Sequence, residues 1–236
     1  MGRGLEARTA VPAPTTLAAM ATTGSEHLIW YASYGSNVNR ARFLCYLRGG
    51  TPHGTSLRQR GARNPSLPLA DAPCVFRSAI RFAGHSVRWD GAPAYLEHQP
   101  AETGALGRRY LITKDQFADV VAQENGAEIP LTIPFDDIRA GSHTRVDTRS
   151  YDTIVGLDPV DGIPVATFTS STPPEHRDPA APSTAYLGTI VRGLAEVHDL
   201  AAEVLAAHLH QAHGVAPTWS APEIQRLLNI GTTGPV

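Results

Sequence analysis

The chain has 236 residues, of which 42% are hydrophobic and 18% charged, and carries a formal net charge of -2. That length supports one domain with a substantial core, and the charge balance gives no electrostatic basis for a nucleic-acid partner. No window approaches the roughly 18 consecutive apolar residues of a membrane span, so the expectation is a cytoplasmic protein without a membrane partner. Two cysteines, Cys45 and Cys74, form neither a CxxC pair nor a dense framework and read as reduced thiols. Basic residues are nearly all arginine, Lys114 being the only lysine, in a chain rich in Ala, Gly and Pro. This suggests a GC-rich bacterial genome and carries no mechanism.

Residues 1–26 are rich in Ala, Thr, Pro and Gly without a sustained period, which predicts a disordered tail, with Met20 as an alternative start. From His27 the pattern changes. HLIWYAS reads as a buried strand, and Asn39 to Leu47 as a helix stopped by Gly49-Gly50. The corner between them, Tyr34-Gly35-Ser36-Asn37, is either a plain strand-turn-helix joint using the φ freedom of Gly and Asn, or a loop aiming backbone N–H groups at an anion. Thr51 to Pro73 is a Gly-, Pro- and Arg-rich loop whose Arg58, Arg60 and Arg63 read as solvated surface.

Short β-type runs follow, CVFRSAIRF, APAYLEH and GRRYLI. A helix comes next: Thr113 and Gln116 form a capping box, KDQFADVVAQE places Phe117, Val120 and Val121 on one stripe, and Asn125-Gly126 ends it. Glu124, one turn beyond Val120, falls on that apolar stripe, where burial would tune a carboxyl for proton transfer at neutral pH. YDTIVGL and IPVATFT read as strands joined by DPVDG. Ser183 caps STAYLGTIVRGLAEV and sets Tyr186 in its first turn; Asp199 is expected to cap DLAAEVLAAHLHQAH, and Ser220 with Glu223 forms another capping box. Strands interspersed irregularly with helices predict an α+β fold, a small mixed or antiparallel, barrel-like sheet flanked by helices. The expected organisation is a tail over 1–26, a domain over 27–198 and a C-terminal helical extension over 199–236.

Taken together, Tyr31-Ala32-Ser33-Tyr34-Gly35-Ser36-Asn37, the segment from Gly107 to Glu124, and Pro182-Ser183-Thr184-Ala185-Tyr186 with Gly193 downstream resemble the γ-glutamylcyclotransferase family. Trp89-Asp90-Gly91-Ala92 is a looser echo of a Trp- and Gly-rich turn in that family. The resemblance spans about residues 28 to 198. It implies cyclisation of a small γ-glutamyl compound to 5-oxoproline with release of an amine, with Glu124 as general acid/base. It also implies that Tyr31, Ala32, Ser33, Tyr34, Gly35, Ser36, Asn37 and Tyr186 bind the substrate, and that no metal or other cofactor takes part. Asn125 departs from the Gly that many relatives carry after the Glu, and the loop over 51–73 and the C-terminal helices have no counterpart in the smaller enzymes.

Other readings compete. The same fold could serve as a non-catalytic small-molecule binding or interaction module. A metal-dependent amide hydrolase or deacetylase is more remote: of His198, His208, His210 and His213, only His210 and His213 would share a helix face, too few ligands for a zinc site. The leaving amine and the oligomeric state cannot be read from the sequence.

Overall fold

The computed structural model describes residues 27–52 and 57–229, so the predicted tail lies outside the described residues. Strand β1 (Leu28–Ser33) enters the core directly and leads through a 3-10 turn (Ser36–Val38) into α1 (Arg40–Arg48). Asn39 caps α1, its Oδ1 accepting from the Arg42 N–H at 3.0 Å. A side-chain cap of this kind contributes about 1 kcal/mol. Gly49 ends the helix at φ 75°.

The chain continues through β2 (Ala70–Val75), β3 (Ser78–Phe82), β4 (Ala94–Pro100) and β5 (Leu106–Thr113) into α2 (Lys114–Asn125). CVFRSAIRF is therefore two strands rather than one, broken at Phe76-Arg77, and Ala70 to Pro73 belong to β2 rather than to the preceding loop. Arg63 also departs from a solvated surface: its backbone N–H and Nε both donate to the buried carboxylate of Asp119 on α2, which fastens the loop to that helix.

After α2 come β6 (His143–Arg145), β7 (Thr153–Val160), β8 (Ile163–Thr169) and α3 (Thr184–Val197), then α4 (Ala202–His210) and α5 (Ala221–Leu227). The β7–β8 turn is tighter than DPVDG implies. It narrows to Asp161-Gly162, both at positive φ, as a two-residue hairpin requires. Asp199 does not cap α4, which starts three residues later behind Ala201 with no side-chain cap.

Six strands form one mixed sheet in the order β2-β5-β1-β8-β7-β6, and β3 and β4 pair as a separate ribbon. β1 is parallel to β8 and antiparallel to β5. The expected α+β class holds; the sheet curves without closing, since its ladder ends at β2 and β6 among the described residues. One face carries Tyr31, Tyr110 and Phe168 against α1 and α2. The other carries Trp30, Ala32 and Val165 against the β3–β4 ribbon and α3, α4 and α5. Leu205, Leu209, Ile224 and Leu227 are buried in the same core as Trp30 and Leu187, so the C-terminal helices complete that face. No described helix is long and apolar enough to cross a membrane.

Candidate active site

β1 delivers one side of the site. Its even and odd side chains point to opposite faces, and Tyr31 and Ser33 face a cavity of about 300 Å³ that Tyr34, Gly35, Ser36 and Asn37 also line as the chain turns away. Ala32 departs from its expected substrate-binding role: it points to the opposite face and lines a different cavity. Gly35 is not needed for a positive φ, since its φ is -99°. It is needed for space, because a Cβ there would lie 3.1 Å from the Tyr186 hydroxyl.

Two helices complete the wall, α2 contributing Glu124 and α3 contributing Tyr186. The capping box of Thr113 and Gln116 starts α2 in the expected register, and Phe117, Val120 and Val121 are fully buried. At about 1.5–3 kcal/mol per such side chain, that stripe fixes the helix against the sheet and aims its last turn at the cavity. Gly126, not Asn125, adopts the left-handed conformation that ends the helix, at φ 62°. Asn125 acts differently: its Oδ1 accepts from the Ser150 and Tyr151 N–H groups and its Nδ2 donates to the Tyr151 carbonyl, holding that loop against the cavity.

Glu124 is only partly buried, and its surroundings are polar rather than the apolar surface its helical spacing suggests. Asn37 Nδ2 donates to Glu124 Oε1 at 2.7 Å and to the Tyr31 hydroxyl at 3.2 Å. An Arg88 nitrogen lies 3.8 Å from Glu124 Oε2 and also donates to the Tyr46 hydroxyl. The buried Asn37 Oδ1 has no hydrogen-bond partner among the described residues. Across the cavity, the Tyr186 hydroxyl accepts from the Ala94 N–H at 3.2 Å. Tyr34 donates to the Phe168 carbonyl at 2.7 Å, which pins the turn to β8.

Burial pushes the phenols of Tyr31, Tyr34, Tyr46, Tyr151 and Tyr186 above the ordinary tyrosine range, and the Glu124 charge adds to the effect at Tyr31 and Tyr46. These hydroxyls are therefore neutral hydrogen-bonding groups near pH 7, not proton-accepting phenolates.

Several residues in the wall, and Arg42 behind it, went unrecognised in the sequence. Arg42 is buried, donates to Ser36 Oγ at 2.7 Å and stacks over Trp89 at 4.7 Å, yet pairs with no carboxylate among the described residues, and its Nη1 has no partner. Nothing in an Arg-rich sequence marks which guanidinium will lack a counter-charge. Arg88, beside Glu124, and Tyr151 line the cavity and were equally unmarked, though the Trp89-Asp90-Gly91-Ala92 turn was a signal. A Cβ on Gly91 would lie 2.5 Å from the Ser183 nitrogen, so that turn packs tightly on the start of α3 and sets Trp89 beside Tyr186.

The histidines disperse. His198 bonds the Gly107 carbonyl, His208 accepts from the Leu106 N–H, and His213 bonds Glu97. Among the described residues, no group of three or more His, Cys, Asp or Glu side chains is placed to hold a metal ion.

No family model matches the chain. It is 31% identical over 203 residues to Histone deacetylase 5 of Arabidopsis thaliana, covering 78% of this chain and 30% of that protein, so the chain spans under a third of the length of the curated relative it matches. Similar solved structures include a gamma-glutamyl cyclotransferase at 15% identity and an uncharacterized protein of Homo sapiens at 17%, each with a TM-score of 0.46 over 86% of this chain and 99% of the other. A yeast gamma-glutamyl cyclotransferase specific to glutathione is 12% identical, with a TM-score of 0.32 over 89% of this chain and 90% of that one. At such identities and TM-scores no residue role transfers from them.

Proposed function

We propose that the chain is a γ-glutamylcyclotransferase-like enzyme that closes a γ-glutamyl amide or peptide to 5-oxoproline and releases an amine. The observation that carries this reading is the 2.7 Å hydrogen bond from Asn37, on the turn after β1, to Glu124, at the end of α2, across one cavity. A carboxylate held there faces the backbone of the turn.

The substrate presents an α-ammonium, an α-carboxylate and a γ-amide. Glu124 accepts a proton from the ammonium, and the freed amine attacks the γ-carbonyl carbon of the same molecule. As the ring closes, the carbonyl oxygen takes up negative charge. Backbone N–H groups at the open start of the Ser36–Val38 turn, together with the neutral Tyr186 hydroxyl, are its donors. Glu124 then returns the proton to the leaving nitrogen while the C–N bond breaks. The second proton, which the α-nitrogen sheds as it becomes the lactam N–H, passes through the same carboxylate to the released amine, which departs as an ammonium. Because nucleophile and electrophile belong to one molecule, the main task of the pocket is to hold a folded conformer.

Two groups, one in the wall and one directly behind it, match the substrate's charges. Asn37 Oδ1, buried and without a partner among the described residues, is an acceptor for the ammonium. Arg42, buried without a carboxylate of its own, supplies a counter-charge for the α-carboxylate behind Ser36 and Trp89.

The test is a panel of γ-glutamyl dipeptides, glutathione and γ-glutamyl amines with 5-oxoproline release as readout. Turnover of at least one donor is expected. Saturable binding of these compounds with no 5-oxoproline from any of them would replace the enzyme with a binding module.

A further inference from the structure

We propose that the cavity on the opposite face of the sheet is a second binding site, for a small monocarboxylate with an apolar tail, and that Arg109 anchors its carboxylate. This site goes beyond the cyclisation reading and does not depend on it. The cavity measures about 410 Å³, and Ala32 of β1, Arg109 of β5 and Val165 of β8 form its floor. Ala32 and Arg109 are directly paired across the antiparallel ladder, and the small Ala32 side chain leaves open the space beside the guanidinium.

The charge inventory of this cavity is unbalanced. The Arg109 guanidinium makes no hydrogen bond or ion pair among the described residues; it lies over the Trp30 ring at 5.1 Å, and its Nε is buried without a partner. The acidic groups in the wall are taken. Asp158 pairs with Arg77 at 2.8 Å, and Glu97 Oε1 pairs with both Arg81 and His213 at 2.8 Å. Cys74 does not compensate either, because burial pushes its thiol up to about 12 despite Arg109 and so keeps it neutral.

Two further polar atoms on the same strand face lack partners among the described residues, though neither residue lines the cavity. Trp30 Nε1 and Thr167 Oγ1 are also buried without partners, and both side chains share the face of Ala32 and Val165 by the two-residue period. A buried guanidinium nitrogen left unpaired is costly, so the Arg109 fork, which does line the cavity, calls for an occupant that carries oxygens. The remaining walls select the other end of that occupant. Phe76, Leu96, Val155, Leu157 and Val160 give an apolar lining suited to a short hydrocarbon tail.

Octanoate is the probe, titrated into the full chain while tryptophan emission is followed, with Trp30→Phe to assign the signal. Saturable binding and a raised melting temperature are expected. Octanol, octylamine and acetate should each bind about tenfold more weakly or worse, and Arg109→Gln, checked by far-UV circular dichroism, should weaken octanoate by a similar factor. Leu157→Trp fills the wall without removing the guanidinium, and it should block octanoate even if the Arg109 variant folds poorly. Equal binding of octanol, or undiminished octanoate binding by Arg109→Gln, would overturn the anchor. Acetate binding as tightly as octanoate would overturn the apolar subsite. No saturable signal at millimolar octanoate would mean that water alone fills the cavity and would overturn the site.

Discussion

In the proposed reaction Asn37 and Arg42 act in opposite ways. Asn37 is a positioning residue whose amide nitrogen bridges the Tyr31 hydroxyl and Glu124. Its replacement by Ala frees the Glu124 side chain to turn away. We expect Asn37→Ala to lower kcat about 10- to 100-fold and, because its Oδ1 is also the proposed acceptor for the ammonium, to raise KM several-fold, both read by steady-state kinetics. Arg42 should behave differently, because it acts through charge. Arg42→Met keeps an unbranched side chain in place of the guanidinium stacked on Trp89 and removes a buried charge, so the fold should tolerate it while KM rises about tenfold or more. An unchanged KM would assign Arg42 to structure alone. Glu124 could be picked out in the sequence because a carboxylate on an apolar helical stripe is anomalous. Its polar surroundings could not, since they depend on a turn 87 residues away.

Elements defined by local chemistry were easiest to read. The caps at Thr113, Ser183 and Ser220 depend on residues within a turn of each other, and all three stand as expected. Asp199 misled because its type favours a cap, whereas α4 starts only at Ala202. β6 was missed because three residues carry too little period to recognise. The strand's own alternation corrects the substrate loop: a motif of consecutive residues was assigned to one site, but Ala32 must face away from Tyr31 and Ser33. Gly35 likewise serves proximity rather than φ. Gly35→Ala would press on the Tyr186 hydroxyl, and a several-fold rise in KM with retained folding is expected from that displacement. α4 carries a pH-dependent term. Burial, with His198 nearby, lowers the pKa of His208 below its ordinary value, while its Nε2 accepts from the Leu106 N–H. The unfolded chain then binds more protons than the folded one between the two values. Stability is fully present above about pH 6.5 and is lost as pH falls through the folded value. The melting temperature should drop on acidification from pH 7 to 5, and less steeply in His208→Gln.

Across the whole molecule one sheet separates the two cavities, and the class of that sheet was legible in the sequence while its boundaries were not. Strand order, the open ends of the ladder and the split between the main sheet and the β3–β4 ribbon depend on pairings such as β1 with β8, which no local pattern encodes. The C-terminal helices were expected as an extension, yet Leu205, Leu209, Ile224 and Leu227 share a core with β1 and α3. Deleting residues 199–236 would expose that face, and we expect the truncated chain to lose its cooperative thermal transition or to aggregate. The most direct measurement of the central claim is single-turnover 5-oxoproline formation from a γ-glutamyl donor, with donor affinity measured separately, in the wild type and in Glu124→Gln. The variant is expected to bind the donor within a few-fold of the wild type and to cyclise it about 100-fold more slowly or worse. Equal cyclisation rates in the two proteins would contradict that claim.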